Sequence, residues 1–200
     1  MQLALPFFTV FMIYGVASPF LPVLVRGLGY SQAQVGFLLG LFEVAGIAGP
    51  FIFSRITNSL GRFRPAVAIA LVLILIAIFP LALFTTLLLT ALMLAVFAIG
   101  LRSLLPLLDA NATLALGNTG DYGRVRVVGS VSFVGVSLFL QFTPILKPNT
   151  PLSIATWISL ASFLTLVSLI VLKEGSFRPK GKNIFPLSPK PGVPGILCFS

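Results

Sequence analysis

Histidine is absent, four residues are acidic, and one cysteine, Cys198, is the whole thiol content of the 200-residue chain. The missing histidine removes imidazole as metal ligand and proton shuttle, and a lone thiol supports neither a disulfide framework nor a cysteine-based metal site. It identifies no redox compartment. Charge of any sign is scarce: 8% of residues are Asp, Glu, Lys or Arg, against 58% hydrophobic and a mean hydropathy of +1.10. A soluble globule of this size cannot cover itself with so few polar groups, so the chain belongs in a bilayer. The formal net charge of +9 would suit nucleic acid in a soluble protein. Here the basic residues sit almost entirely in short gaps between apolar runs, where they report membrane orientation and no nucleic-acid partner.

About 20 apolar residues cross a hydrocarbon core of about 30 Å. Applied along the chain, that length predicts six spans, near residues 3–25, 34–53, 66–84, 87–109, 125–143 and 152–172. The expected fold is all-α, a polytopic six-helix transmembrane bundle over 1–172. The first run has no basic residue ahead of it and exceeds a signal-peptide core, so it is expected to be a span and not an export signal. Gaps at Arg26 to Ser31, Asn58 to Arg62, Gly117 to Asp121 and Pro144 to Pro151 carry turn chemistry; between spans three and four only Phe84-Thr85-Thr86 intervenes. With the N-terminus inside, Arg55, Arg62, Arg64, Arg124, Arg126, Lys173, Arg178, Lys180, Lys182 and Lys190 gather on the inner side against Arg26 and Lys147 outside. The positive-inside rule then predicts a multi-pass cell-membrane protein, plasma or bacterial inner membrane, with both termini cytoplasmic. Residues 173–200 are basic and Pro-rich and read as a disordered cytoplasmic tail, a cut-short central loop.

Small residues at helical spacing, Gly36 with Gly40, Gly46 with Gly49, and Gly129 with Ser132, are expected to let helices approach closely. Ionisable groups at membrane depth each cost about 2.5–3.5 kcal/mol on insertion scales and ask for a partner or a task. Glu43 lies near the middle of span two; Arg102 and Asp109 share a face of span four, about two turns apart. Glu43 and Arg102 are at depths an arginine can bridge, so an intramembrane charge pair is expected, with a protonatable coupling group or solute contact at Glu43 as the functional alternative. Arg126, at the inner end of span five, can face Asp109, an arrangement suited to gripping a polar solute or holding an inner gate.

Three stretches carry a resemblance: Gly15-Val16-Ala17-Ser18-Pro19-Phe20-Leu21-Pro22, the segment Ser54 to Arg64, and Pro106-Leu107-Leu108-Asp109 followed by Tyr122-Gly123-Arg124-Val125-Arg126 as far as Phe133. Together they resemble the N-terminal half of the major facilitator superfamily, in detail the branch of the lactose and phenylpropionate permeases. The resemblance implies half of a twelve-helix fold, with a solute cavity lined by helices one, two, four and five. In that branch an acid three residues after a proline in helix four pairs with the second arginine of a Gly-Arg-x-Arg segment, and together they bind sugar. Asp109 and Arg126 match those positions, and Phe133 stands where a tryptophan stacks on the sugar ring. The loop after helix two resembles the superfamily's Gly-x-Leu-x-Asp-Arg-x-Gly-Arg-Arg signature, which implies a cytoplasmic gate loop at Asn58, Gly61, Arg62 and Arg64. Ser54, Asn58 and Ser59 stand where that signature has Gly, Asp and a basic residue, so the acid that locks the helix ends is missing.

The expected function is half of a secondary active transporter for a small organic solute, a sugar, an aromatic acid or another organic acid, proton-coupled in an intact homologue. Asp109, Arg126, Phe133 and Glu43 would bind the solute: the arginines suit a carboxylate, Asp109 a hydroxyl or amine. Alternating access needs a second six-helix half or a homodimer. The alternative is a truncated, transport-inactive membrane fragment with at most a structural or interaction role. No nucleophile stands beside a base, so no enzyme is expected, and no cofactor or metal is implied.

Overall fold

A computed structural model describes residues 3–116, 121–143 and 151–175 of the chain. The turns expected at 117–120 and 144–150, Lys147, and the tail beyond 175 with Cys198 lie outside the described residues. Six helices follow one another: α1 (Ala4–Gly27), α2 (Gln32–Leu60), α3 (Phe63–Leu83), α4 (Leu87–Leu116), α5 (Asp121–Phe142) and α6 (Pro151–Ser168). Each is long and apolar enough to cross a membrane, and the fold is a six-helix transmembrane bundle.

Local signals set the helix ends. Ser31 and Gln34 cap α2 reciprocally, the Gln34 amide donating to Ser31 Oγ at 3.4 Å and the Ser31 amide to Gln34 Oε1 at 3.0 Å. Gly61 stops the same helix at φ 63°, its N–H returning to the Thr57 carbonyl at 2.8 Å. A residue with a Cβ would resist that left-handed turn. Three spans exceed their hydropathy limits by a turn or more: α2 continues to Leu60 instead of 53, α4 to Leu116 instead of 109, and α5 starts at Asp121 instead of 125. Ser54 to Leu60 is thus mostly helix and not loop. Water at the bilayer surface tolerates polar side chains on a continuing helix, and only the capping glycine says where it ends.

Two groups of three helices build the bundle. α1 packs on α5 and α6, α4 packs on α2 and α3, and the groups join where α3 meets α6. α1, α2, α4 and α5 touch one another across the groups only lightly, so one side of α1 and α4 stays open between α2 and α5. Lipid tails are as apolar as leucine, so close packing and hydrogen bonds, more than the hydrophobic effect, hold such helices together. A Cβ at Gly49 would lie 2.6 Å from the Ile99 carbonyl oxygen, one at Gly100 2.8 Å from that of Ala70, and one at Gly15 2.9 Å from that of Phe133. The α2/α4, α3/α4 and α1/α5 pairs therefore meet closely at glycine. Gly36 and Gly40 are different, since nothing lies within 4 Å of either added Cβ; they make no close approach among the described residues. Pro19 removes the N–H that would bond the Gly15 carbonyl, and Ser137 Oγ of α5 donates to that oxygen at 2.9 Å instead.

At the basic end of the bundle, Arg64 ties α3 to the close of α6. Its Nε donates to the Leu172 carbonyl at 3.0 Å, and its Nη2 donates to that oxygen and, at 3.2 Å, to the Ile170 carbonyl. Its backbone N–H donates to Glu174 Oε1 at 3.2 Å. Beside it, fully buried Asn111 of α4 donates to the Lys173 carbonyl and accepts the Gly175 N–H at 2.8 Å. Two side chains thus hold residues 170–175 against α3 and α4.

Candidate functional site

On the open side, α4 presents two charged residues, Arg102 and Asp109, about two turns or ~10 Å apart along the axis. Each finds its counter-charge on a different neighbour. Arg102 Nη2 lies 2.5 and 2.6 Å from the two oxygens of Glu43 on α2. Arg126 Nη1 of α5 lies 2.6 and 2.7 Å from the two oxygens of Asp109. Hence α4 is stitched to α2 at one depth and to α5 at another, nearer the basic end.

The pairs share a construction. In each, a phenyl ring of another helix backs the guanidinium: Phe42 lies 5.3 Å from Arg102 and Phe11 5.3 Å from Arg126, ring centroid to Cζ. In each, a glycine one turn from the α2 or α5 member of the pair clears the space. A Cβ at Gly46 would lie 2.7 Å from Arg102 Cγ, and one at Gly129 2.6 Å from the Phe11 ring. Aromatic residues of α1 connect the two levels: Phe11 stacks on Phe7 and lies tilted against Tyr14, with centroids 6.4 and 6.5 Å away. Tyr14 Oη then donates to the Leu101 carbonyl of α4 at 2.5 Å. One residue on, the Arg102 carbonyl lacks its helical donor, because Pro106 has no N–H.

The pairs differ in how firmly the acid is held. Asp109 also accepts Tyr122 Oη at 3.1 Å and its side chain is 32% exposed. Among the described residues Glu43 has Arg102 alone, and it is 63% exposed. Each arginine meets its acid through one terminal nitrogen; the Tyr122 hydroxyl lies within hydrogen-bonding reach of Arg126 as well as of Asp109, whereas Arg102 has no further hydrogen bond among the described residues. A cavity of about 340 Å³ opens at the upper pair, walled by Tyr14, Leu21, Leu39 and Phe42 with Glu43 and Arg102 among them.

Phe133 sits two turns along α5 from Arg126, half-buried, with its backbone against Gly15. Of the gate-loop residues, Asn58 is exposed on the last turn of α2 and borders an apolar cleft with Pro50, Pro106 and Ala110; Gly61 is the helix stop, and Arg62 is exposed in extended backbone. Arg64 does not stand in a loop: it lies in the first turn of α3, engaged with the end of α6.

Four neighbours of the charges escape sequence reasoning: Phe11, Tyr14, Phe42 and Tyr122. Phenylalanine is too common here to mark a position, with 19 in the chain, but tyrosine is not, with three. A hydroxyl inside an apolar span must find an acceptor, and that requirement is the sequence signal that could have singled out Tyr14.

The MFS_1 like family model matches residues 1–185. The "Probable 3-phenylpropionic acid transporter" of Escherichia coli (strain K12) is 34% identical over 140 residues, covering 66% of this chain and 35% of the relative. The chain thus spans about a third of the length of that curated relative. No solved structure matches. Six apolar helices, paired charges within the bundle and a family match over most of the chain agree: the protein belongs to the MFS_1-like family of the major facilitators.

Proposed function

We propose that the chain forms the N-terminal six-helix half of a secondary transporter for a small organic solute, with the solute held on the open side of α1, α2, α4 and α5. The observation that carries this is the Asp109–Arg126 pair, two opposite charges at membrane depth on an uncovered face, each with hydrogen-bonding capacity to spare. Ionisable groups in that position mark solute or ion paths more often than they serve packing. Asp109 offers carboxylate oxygens to hydroxyl or amine donors, Arg126 offers N–H groups to oxygens, and Phe133 supplies an apolar ring two turns away. Glu43 and Arg102 line the same opening. The arginines favour an acidic solute, in keeping with what the Escherichia coli relative's name says it carries.

The orientation that agrees with the basic end, where Arg55, Arg62, Arg64 and Arg124 gather, puts the N-terminus and residue 173 onward in the cytoplasm. Residues 1–172 then form the transport half and 173–200 a cytoplasmic segment. Alternating access requires a second six-helix body rocking against this one. The outward faces of α2 and α5, with Phe37, Val44, Ile47 and Phe51 on one and Val127, Val131 and Phe142 on the other, are available for it.

The test is solute binding to the whole chain in lipid nanodiscs, with the mass of the assembly read by native mass spectrometry. Saturable binding that falls about ten- to hundredfold in Asp109→Asn and Arg126→Ala is expected, the range for loss of a charge-assisted hydrogen bond. A lone monomer that binds neither sugars nor aromatic acids would leave the chain an inactive membrane fragment.

A further inference from the structure

We infer that the basic end of the bundle carries a lipid site, in which Arg124 and Lys173 hold the phosphate of an anionic phospholipid beside an apolar wall where ends of α1, α4 and α5 meet. This goes beyond the transporter reading and is tested independently of it.

A cavity of about 430 Å³ opens there. Leu3 at the head of α1 and Leu116 at the close of α4 belong to its apolar wall, and Asp121, Arg124 and Lys173 supply its charge. Val128, exposed and one turn along α5 from Arg124, carries that wall out of the cavity to membrane depth. Three helix ends on one cavity put it at the level where hydrocarbon gives way to headgroups. Its two parts ask for different things. Apolar surface gains from being covered by hydrocarbon, while cations at this level gain from the phosphates of an anionic leaflet. A phospholipid satisfies both in one molecule, whereas a hydrated soluble anion leaves the apolar wall bare.

The charges are free to do this. Among the described residues Arg124 meets only Asp121, three positions back, at 3.7 Å and with 87% of its side chain exposed, a pair worth little in water. Lys173 is held in place through its backbone: Asn111 binds its carbonyl, and Arg64 binds the carbonyl of Leu172 before it. Its ammonium has no partner among the described residues, and the adjacent acid, Glu174, is taken by the Arg64 amide. Two cations against one acid leave a surplus of one positive charge, which the single negative charge of a phospholipid phosphodiester balances. Arg124 offers the planar fork that suits phosphate oxygens, and Lys173 a point charge. In the sequence beyond the described residues Arg178, Lys180 and Lys182 follow, and basic residues crowded just past a span draw anionic lipids to it.

The experiment adds phosphatidylglycerol, or phosphatidylcholine as its uncharged counterpart, to the purified whole chain in detergent and counts bound lipid by native mass spectrometry. Phosphatidylglycerol should bind about tenfold or more tighter than phosphatidylcholine. Arg124→Ala and Lys173→Ala should each weaken it about ten- to hundredfold, the range for a charge-assisted hydrogen bond. Val128→Phe, which fills the cavity with its charges intact, should weaken it too, and Asp121→Asn should strengthen it. All four side chains are exposed, so these variants keep the fold. Arg62→Ala, which removes an exposed charge at the same end but outside the cavity, should cost about fivefold or less, the worth of one basic residue near an anionic surface. Equal losses in Arg62→Ala and Arg124→Ala, or full binding by Val128→Phe, overturn the inference in favour of a general attraction to anionic lipid. Equal binding of the two lipids overturns it outright. Release of phosphatidylglycerol by millimolar glycerol phosphate overturns the lipid assignment and makes the cavity a site for a soluble phosphate.

Discussion

Two alanine substitutions on α2, nine residues apart, should move stability in opposite directions. At Gly49 the added Cβ would sit 2.6 Å from the Ile99 carbonyl oxygen and 2.7 Å from Ser103 Oγ. Those two atoms are themselves hydrogen-bonded at 2.6 Å, so neither can swing aside without breaking that bond. Ordinary contact begins at 3.4 Å, so α2 and α4 must part. Overpacking of this kind costs about 1–3 kcal/mol, less the up to ~1 kcal/mol that alanine gains over glycine in a helix. At Gly40 nothing lies within 4 Å, and only the propensity gain remains. Reversible unfolding of each variant in detergent, at roughly 2–4 °C of melting shift per kcal/mol for a chain of this size, should show Gly49→Ala destabilised by up to about 2 kcal/mol and Gly40→Ala stabilised by up to about 1 kcal/mol. The same sign in both variants would refute the glycine-mediated α2/α4 contact.

Arg64→Ala should free the end of α6, raising amide exchange at residues 169–175 while melting falls by only a few degrees; unchanged exchange would mean that Asn111 alone holds the segment. Tyr14→Phe removes the second donor to the Leu101 carbonyl and should cost about 0.5–1.5 kcal/mol, read as a lower unfolding midpoint, with the helix content unchanged by circular dichroism. Gly129→Leu should push the Phe11 ring from beneath Arg126 and weaken solute binding without disturbing the Glu43–Arg102 pair, which double-mutant cycles with Glu43→Gln would show as additive effects.

Hydropathy carried the number of helices and their order because each span must hide its backbone from lipid, a demand that writes long apolar runs into the chain. Helix ends were harder. Ser54 to Leu60 and Ala110 to Leu116 are helical but polar enough to leave the apolar window, and the chemistry that ends α2 is one glycine. The site was legible where charge is rare: Glu43, Arg102, Asp109 and Arg126 stand out in apolar surroundings, and heptad spacing puts Arg102 and Asp109 on one face of α4. Which helices rotate toward them was not legible. Phe11 beneath Arg126 and Tyr14 on the Leu101 carbonyl depend on the crossing of α1 with α4 and α5, which linear spacing does not encode. Arg64 illustrates the same limit, since its partner carbonyls lie more than a hundred residues away.

The central claim is that α1, α2, α4 and α5 enclose a water-accessible solute path while α3 and α6 back onto lipid. Cysteine accessibility tests it directly, in a background with Cys198 replaced by serine, using a membrane-impermeant maleimide on the nanodisc-embedded chain. Ser18→Cys at the cavity and Ala110→Cys beside Asp109 should label quickly, and Ser18→Cys more slowly when 3-phenylpropionate is present, whereas Ile76→Cys of α3 and Phe163→Cys of α6 should resist. Equal labelling at all four positions, or labelling confined to α3 and α6, would contradict the account.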